Sequence, residues 1–361
     1  MVFFIHSTSL MTRSSNHHEE VYEPIPDFEA RVPSGKDISY LTGPISKFTR
    51  MQRKTFIKTM GAGVAAIQFS PVIMGAQDTG SSYVRLGGPV FDPFDGPEAW
   101  VESLKKRGYR AGNCPVNPGA DEKLIRDLAE TARKNDVVIA EVGAWSNPIS
   151  PDPLEATLAI EKCIAGLQLA DQIGARCCVN ISGSKNPEYW AGPHKDNMTE
   201  AVFDQVVETT RKIIDAVKPG RSCFALEAMP WAFPYSTETY LDLLKAIDRK
   251  SFGVHLDPVN MITSPQDYYN NGKLIKEMFS VLGPHIKSCH AKDITLREDN
   301  YIPQLDEIRP GLGSLNYGVF LSELAKLKDV PLIMEHLESD EEYQLAADYI
   351  RSVGKSVQIE I

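Results

Sequence analysis

From residue 80 onward, short apolar runs alternate with longer stretches in which apolar residues recur every three or four positions. The runs Tyr83–Leu86, Tyr109–Asn113, Val137–Val142, Arg176–Ile181, Cys223–Glu227, Phe252–Asp257, His285–His290 and Leu332–Glu335 predict eight strands. Between them, Leu124-Ile125-Leu128, Ile160-Cys163-Ile164-Leu167, Val206-Val207-Ile213-Ile214 and Leu321-Leu324-Leu327 predict amphipathic helices. Strand and helix alternate with no sequence repeat. Eight such units over residues 80–358 predict an α/β fold, a single (β/α)8 barrel with its functional end where the strands finish. A doubly wound open sheet would need a phosphate-binding glycine turn after the first strand, and Gly87-Gly88-Pro89 is a poor one.

The chain before the barrel reads differently. From Met51 it runs Met51-Gln52-Arg53-Lys54-Thr55-Phe56-Ile57-Lys58, followed by eighteen uncharged residues from Thr59 to Ala76. A basic start, a short apolar stretch rich in Gly and Ala, and a small-residue exit predict an export signal peptide over 51–76. Arg53-Lys54 is similar to a twin-arginine motif with Lys in the second place, so the expected destination is the periplasm. Residues 1–50 show no sustained apolar period and are expected to be disordered or a mis-assigned extension, with Met51 as the true start.

Charge divides along the same line. The 361 residues carry 48 acidic and 38 basic side chains, net -10. Residues 51–76 hold three basic and no acidic side chains, so the acidic excess lies in the barrel region. That balance argues against a nucleic-acid backbone or an anionic membrane as partner. The six cysteines have no metal-type CxxC spacing and read as buried structural thiols.

Four consecutive late strands end in, or just before, a side chain able to bind a metal: Cys223-Phe224-Ala225-Leu226-Glu227, Phe252-Gly253-Val254-His255-Leu256-Asp257, His285-Ile286-Lys287-Ser288-Cys289-His290 and Leu332-Ile333-Met334-Glu335. Alternation puts Glu227 on one face with Ala225 and Cys223, and Asp257 on one face with His255 and Gly253, opposite the bulky apolar residues. Three carboxylates and an imidazole converging at a barrel mouth predict one divalent metal ion, Mn²⁺ first, with Mg²⁺, Co²⁺ or Zn²⁺ also suited. Without a cation such a cluster would suffer strong like-charge repulsion.

The segments Leu226-Glu227-Ala228, His255-Leu256-Asp257-Pro258-Val259-Asn260, Cys289-His290-Ala291-Lys292-Asp293, Gly311-Leu312-Gly313-Ser314-Leu315-Asn316-Tyr317 and Met334-Glu335-His336 resemble the xylose isomerase-like TIM-barrel superfamily, also described as sugar phosphate isomerase/epimerase or AP endonuclease family 2. The resemblance implies that Glu227, Asp257, His290 and Glu335 are metal ligands and that the two glutamates double as acid and base. Departures bear on the substrate. Asn260 stands where ketose epimerases of the family usually place a His, and Leu296 where they place an Arg. The second to fourth strands offer Asn113, Glu141 and Asn180 in place of the extra His ligands of the DNA-repair branch, which argues against DNA incision.

Strands one to four are left for the substrate. Arg85, Asn113, Glu141, Trp145 and Asn180 are expected near their ends, with Trp231 following Glu227. The candidate substrate-binding set is Asn260, Lys292, Trp231, Glu141, Trp145 and His255. Lys292 and the adjacent Asp293 have a structural pairing as their alternative. The expected activity is a sugar isomerase or epimerase acting through an enediolate. A lyase or dehydratase on keto-sugars, 3-keto-glycosides or inososes is the alternative, and a non-catalytic carbohydrate-binding barrel the third reading. The expected partner is a small sugar or cyclitol, and homo-oligomerisation is compatible with the sequence.

Overall fold

The computed structural model describes residues 82–361. The expected extension and the export signal lie outside the described residues. The strands are β1 (Arg85–Gly87), β2 (Ala111–Gly112), β3 (Val138–Ile139), β4 (Glu141–Gly143), β5 (Cys177–Asn180), β6 (Phe224–Glu227), β7 (Phe252–Leu256), β8 (Ile286–Ala291), β9 (Asp293–Leu296), β10 (Leu305–Ile308) and β11 (Pro331–Met334). The helices are α1 (Gly96–Lys106), α2 (Glu122–Lys134), α3 (Pro153–Ile173), α4 (Glu200–Val217), α5 (Thr237–Ile247), α6 (Pro265–Tyr269), α7 (Asn271–Leu282), α8 (Tyr317–Leu324) and α9 (Asp340–Ser356).

The main sheet is parallel, in the order β3-β2-β1-β11-β8-β7-β6-β5-β4. Its two ends, β3 and β4, are halves of one strand joined by Ala140, whose N–H donates to Gly112 and whose carbonyl accepts from Cys177. The sheet therefore comes round on itself as a nearly closed eight-strand ring, the expected α/β barrel. All eight expected strands form, with ends moved by a residue or two.

Side-chain size sorts the two faces. Phe224, Leu226, Val254, Leu256 and Cys178 belong to the large core between sheet and helices. The lumen holds two small clusters, Ala111-Ala140-Ile333 and Cys177-Val179-Ala225. Small residues leave room in the lumen for Glu141, His255, Ser288 and His290, all buried.

Helix α3 shows how the mouth is built. Asp152 caps it by accepting from the N–H groups of Leu154 and Glu155, Pro153 opens its first turn, and Gly174 closes it in the left-handed region at φ 77°. Its first turns therefore sit at the rim, beside the segment after β4.

Two features depart from expectation. The antiparallel hairpin of β9 and β10 is an insertion after β8 that the apolar pattern did not predict. Arg85, expected near the mouth, opens β1 and lies at the opposite end of the barrel. There its guanidinium pairs with Asp136 at 2.8 Å and Asp329 at 3.1 Å.

Candidate metal centre

Glu227 closes β6, Asp257 follows β7, His290 lies near the end of β8 and Glu335 follows β11, so adjacent strand ends deliver all four to one place. One ligand atom from each lies within 4.8 Å of the others. His290 Nδ1 is 2.8 Å from Glu335 Oε1, 3.3 Å from Glu227 Oε1 and 4.0 Å from Asp257 Oδ2. Glu227, Asp257 and His290 are buried, while Glu335 keeps 18% of its side chain exposed toward the mouth.

Backbone and side-chain partners set each group. Asp257 Oδ1 accepts from the N–H of Val259 at 2.9 Å, which turns Oδ2 toward the cluster. Asn260 Nδ2 donates to Glu227 Oε1 at 2.9 Å. Lys292 sits among the carboxylates, its Nζ 2.7 Å from Glu335 Oε1, 2.9 Å from Asp257 Oδ2, 3.5 Å from Glu307 Oε2 and 3.7 Å from Glu227 Oε1. Asp293 points elsewhere. It accepts from the N–H groups of Ile294, Gly311, Gly313 and Leu315 and so fixes the loop before α8.

Beneath the cluster lies a second layer. Glu141 Oε1 is 3.3 Å from His290 Nε2, and Glu141 Oε2 accepts from the Ser288 hydroxyl at 3.0 Å. The His255 ring meets that of His290 edge-on at 4.0 Å, with its Nδ1 3.3 Å from Glu141 Oε2. Both residues point into the lumen, His255 as alternation predicts, but they stand below His290 and not at the mouth expected for substrate contacts. Asn180 is turned away from the lumen, accepting from the Ser146 N–H and donating to Cys163 Sγ. Trp145 packs over Cys177, Val179 and Ala225. Trp231 donates from its indole N–H to the Ala191 carbonyl at 2.6 Å, tying the segment after β6 to the one after β5.

Glu307 and His336 were missed by sequence reasoning. Glu307 comes from the unforeseen hairpin and meets Lys292 and, at 2.9 Å, His336 Nδ1. His336 sits in the left-handed region at φ 59° directly after Glu335, backbone strain of the kind that collects at functional sites.

The electrostatics follow from burial and crowding. Burial lifts the Glu227 carboxyl to about 7, against the opposing pull of His290 and Lys292. Burial would also raise Glu335, but His290 and Lys292 outweigh it and hold that carboxyl well below its ordinary value. Asp257 is likewise lowered once Lys292 and His290 overcome its desolvation. His290 is raised well above its usual range because three glutamates overcome burial, whereas burial and the neighbouring His290 push His255 down to about 4.

This donor set fits a divalent cation. Asp257 Oδ2 and Glu335 Oε1 are buried and face cationic side chains, yet neither has an aligned hydrogen bond. Five carboxylates (Glu141, Glu227, Asp257, Glu307 and Glu335) outnumber the cationic side chains among them, Lys292 and the two imidazoles of His290 and His336. The mostly oxygen donor set suits a hard or borderline ion.

The family model for the xylose isomerase-like TIM barrel matches residues 98–353, and the chain belongs to that family. The barrel is similar to a xylose isomerase-like TIM barrel protein from Mycobacterium smegmatis solved in complex with magnesium. That match has 16% identity, covers 76% of this chain and 98% of that one, and has a TM-score of 0.55. D-Psicose 3-epimerase from Clostridium cellulolyticum, solved with D-tagatose, matches at 17% identity over 75% of this chain and 99% of that one, with a TM-score of 0.52. A probable 3-DHS dehydratase of petrobactin synthesis from Bacillus anthracis matches at 14% identity over 74% and 98%, with a TM-score of 0.55. At these identities the likeness establishes the fold alone. No curated protein matches the chain by sequence.

Proposed function

We propose that this chain is a divalent-metal-dependent sugar isomerase or epimerase that moves a proton on a carbon beside a carbonyl. Glu227, Asp257, His290 and Glu335 would hold the metal, with Mn²⁺ favoured over Mg²⁺, Co²⁺ and Zn²⁺. When bound, such an ion stabilises the negative charge that develops as the proton leaves. The observation that carries the reading is the position of the two glutamates. They come from strands three places apart in the ring yet face one cluster, which in this reading lets them flank a substrate carbon from two sides.

One glutamate takes the proton and the other returns it, which inverts the carbon or carries the proton to its neighbour. Asn260 orients Glu227 through its 2.9 Å hydrogen bond. Lys292, its carbonyl fixed by the Tyr317 hydroxyl at 2.7 Å, keeps an ammonium against Asp257 and Glu335, where it can donate to a substrate oxygen. Glu141 holds His290 from below with Nδ1 toward the carboxylates. The family's epimerase and dehydratase structures are consistent with this chemistry.

The test is metal analysis of the purified barrel, followed by a deuterium-exchange screen of ketoses, inososes and 3-keto-glycosides. Exchange with an unchanged molecular formula identifies an isomerase or epimerase. Loss of water or an aglycone moves the assignment to a lyase, and binding without exchange contradicts both. As a further part of the proposal, the leader over 51–76 exports the protein to the periplasm.

A further inference from the structure

Below the mouth, neighbouring strands carry two registered pairs of side chains into the lumen. Glu141 on β4 is the register partner of Cys177 on β5, and His255 on β7 is the partner of Ser288 on β8. Register partners stand side by side on one face of a sheet. The two pairs meet at Glu141, whose Oε2 is 3.3 Å from His255 Nδ1 and accepts from the Ser288 hydroxyl at 3.0 Å. Strand β6, between β5 and β7, adds the small side chain of Ala225 to the lumen cluster that holds Cys177. Cys177, His255 and Ser288 are fully buried and Glu141 nearly so.

One polar group in this layer has no settled partner. Both ring nitrogens of His255 lack an aligned hydrogen bond, although buried polar groups almost always find one. As a plain thiol, Cys177 reaches the Ala140 carbonyl at 3.9 Å, which leaves the imidazole unanswered. A shared cation would engage the imidazole, the thiol and the carboxylate at once.

The geometry admits such an ion. One donor atom from each of Glu141, Cys177 and His255 lies within 4.8 Å of the others. An ion about 2.05 Å from both His255 Nδ1 and Glu141 Oε2 would see them at about 107°, close to the tetrahedral angle. A tetrahedral site places sulfur about 3.5 Å from its neighbours, so the donors need draw in by about 1.3 Å at most. The donor types then choose the metal. Thiolate and imidazole select Zn²⁺, whereas the mouth cluster of three carboxylates and one imidazole has no sulfur and suits a harder ion.

We propose that Glu141, Cys177 and His255 hold a Zn²⁺ ion in the lumen beneath the mouth, with the Ser288 hydroxyl or a water as fourth donor. The ion takes Cys177 as the thiolate, and the thiol proton leaves to solvent. One carboxylate and one thiolate balance its two charges, so the buried site is neutral overall. Glu141 bridges the two layers, its Oε1 remaining toward His290. This zinc is structural and does not depend on the proposed function.

The test uses Co²⁺ in place of Zn²⁺, because a thiolate bound to Co²⁺ gives a near-ultraviolet charge-transfer band that oxygen and imidazole ligands do not. The donors are sealed from solvent, so the protein is expressed in cobalt-supplemented medium and its metal content measured. Wild type should show the band. Cys177→Ser should abolish it and lose about one bound cobalt per chain, whereas Cys178→Ser, on the outward face, should keep it. Glu335→Ala, which removes a mouth ligand from a different strand, should also keep it. Cobalt bound to wild type without the band, or no cobalt bound at all, would overturn the inference without recourse to any variant. A band that survives in Cys177→Ser, or that disappears in folded Glu335→Ala, would overturn it as well. A band accompanied by no metal at the mouth would uphold the lumen site and remove the proposed function instead.

Discussion

Replacing Glu141 tests whether the layer under the cluster sets its metal affinity. Its carboxylate is 3.3 Å from His290 Nε2, on the far side of the ring from the Nδ1 that faces Glu335 at 2.8 Å. When a metal displaces the Nδ1 proton, a carboxylate on Nε2 keeps the remaining proton there and directs the Nδ1 lone pair to the ion. Glu141→Leu removes that control, and outer partners of this kind are typically worth about 10- to 100-fold in metal affinity, or about 1.4–2.7 kcal/mol. Glu141→Gln should lose less, about tenfold, because its amide can turn its oxygen to His290 and its NH₂ to the Ser288 hydroxyl. Ser288→Ala, which removes a partner of Glu141 without touching His290, should change affinity less than Glu141→Leu does. Mn²⁺ and Zn²⁺ titrations against a competing chelator read these differences directly. Wild-type affinity in folded Glu141→Leu would refute the reasoning, because His290 would then be oriented without its buried partner.

Asp293→Ala strips four backbone N–H groups of their acceptor, and chemical denaturation should show a loss of about 2–4 kcal/mol, with Asp293→Asn milder. At the opposite end of the barrel, Asp136 is held below its usual range first by its hydrogen bond to Arg85. Asp329 is also held low, because Tyr83 and Arg85 overcome its burial. Depressed folded-state values mean that this stabilisation is complete above about pH 4 and is lost as pH falls through them. The stability gap between wild type and Arg85→Met, followed by thermal melts, should therefore shrink only below that pH. Replacing Arg53 and Lys54 with Gln should strand the protein in the cytoplasm on fractionation, and continued export would reject the twin-arginine route.

The barrel and its four strand-end donors were readable because alternation separates Phe224 and Leu226 from Ala225 and Glu227, and small from large residues is what a lumen requires. Alternation reveals face, not height. It correctly turned His255 inward but could not show that His255 and Glu141 stand a layer below the mouth. Asn180 closes β5 as expected, but it follows Val179 and so takes the outward face, where it bonds Ser146 and Cys163. Arg85 lies at the other end because its apolar run finishes at Leu86 but the strand itself begins at Arg85. Glu307 had no signal: Leu305-Asp306-Glu307-Ile308 shows neither a strand alternation nor a helical period, and its strand partner follows the barrel strand after one residue.

The most direct measurement is deuterium incorporation at the carbon beside the carbonyl, followed by NMR in wild type, Glu227→Gln and Glu335→Gln, each with metal occupancy verified. Wild type should exchange only when loaded with a divalent metal, and each Gln variant should retain fold and some metal while slowing by about two to four orders of magnitude. Exchange by the metal-stripped wild type, or a near wild-type rate in either metal-loaded Gln variant on a confirmed substrate, would contradict the account.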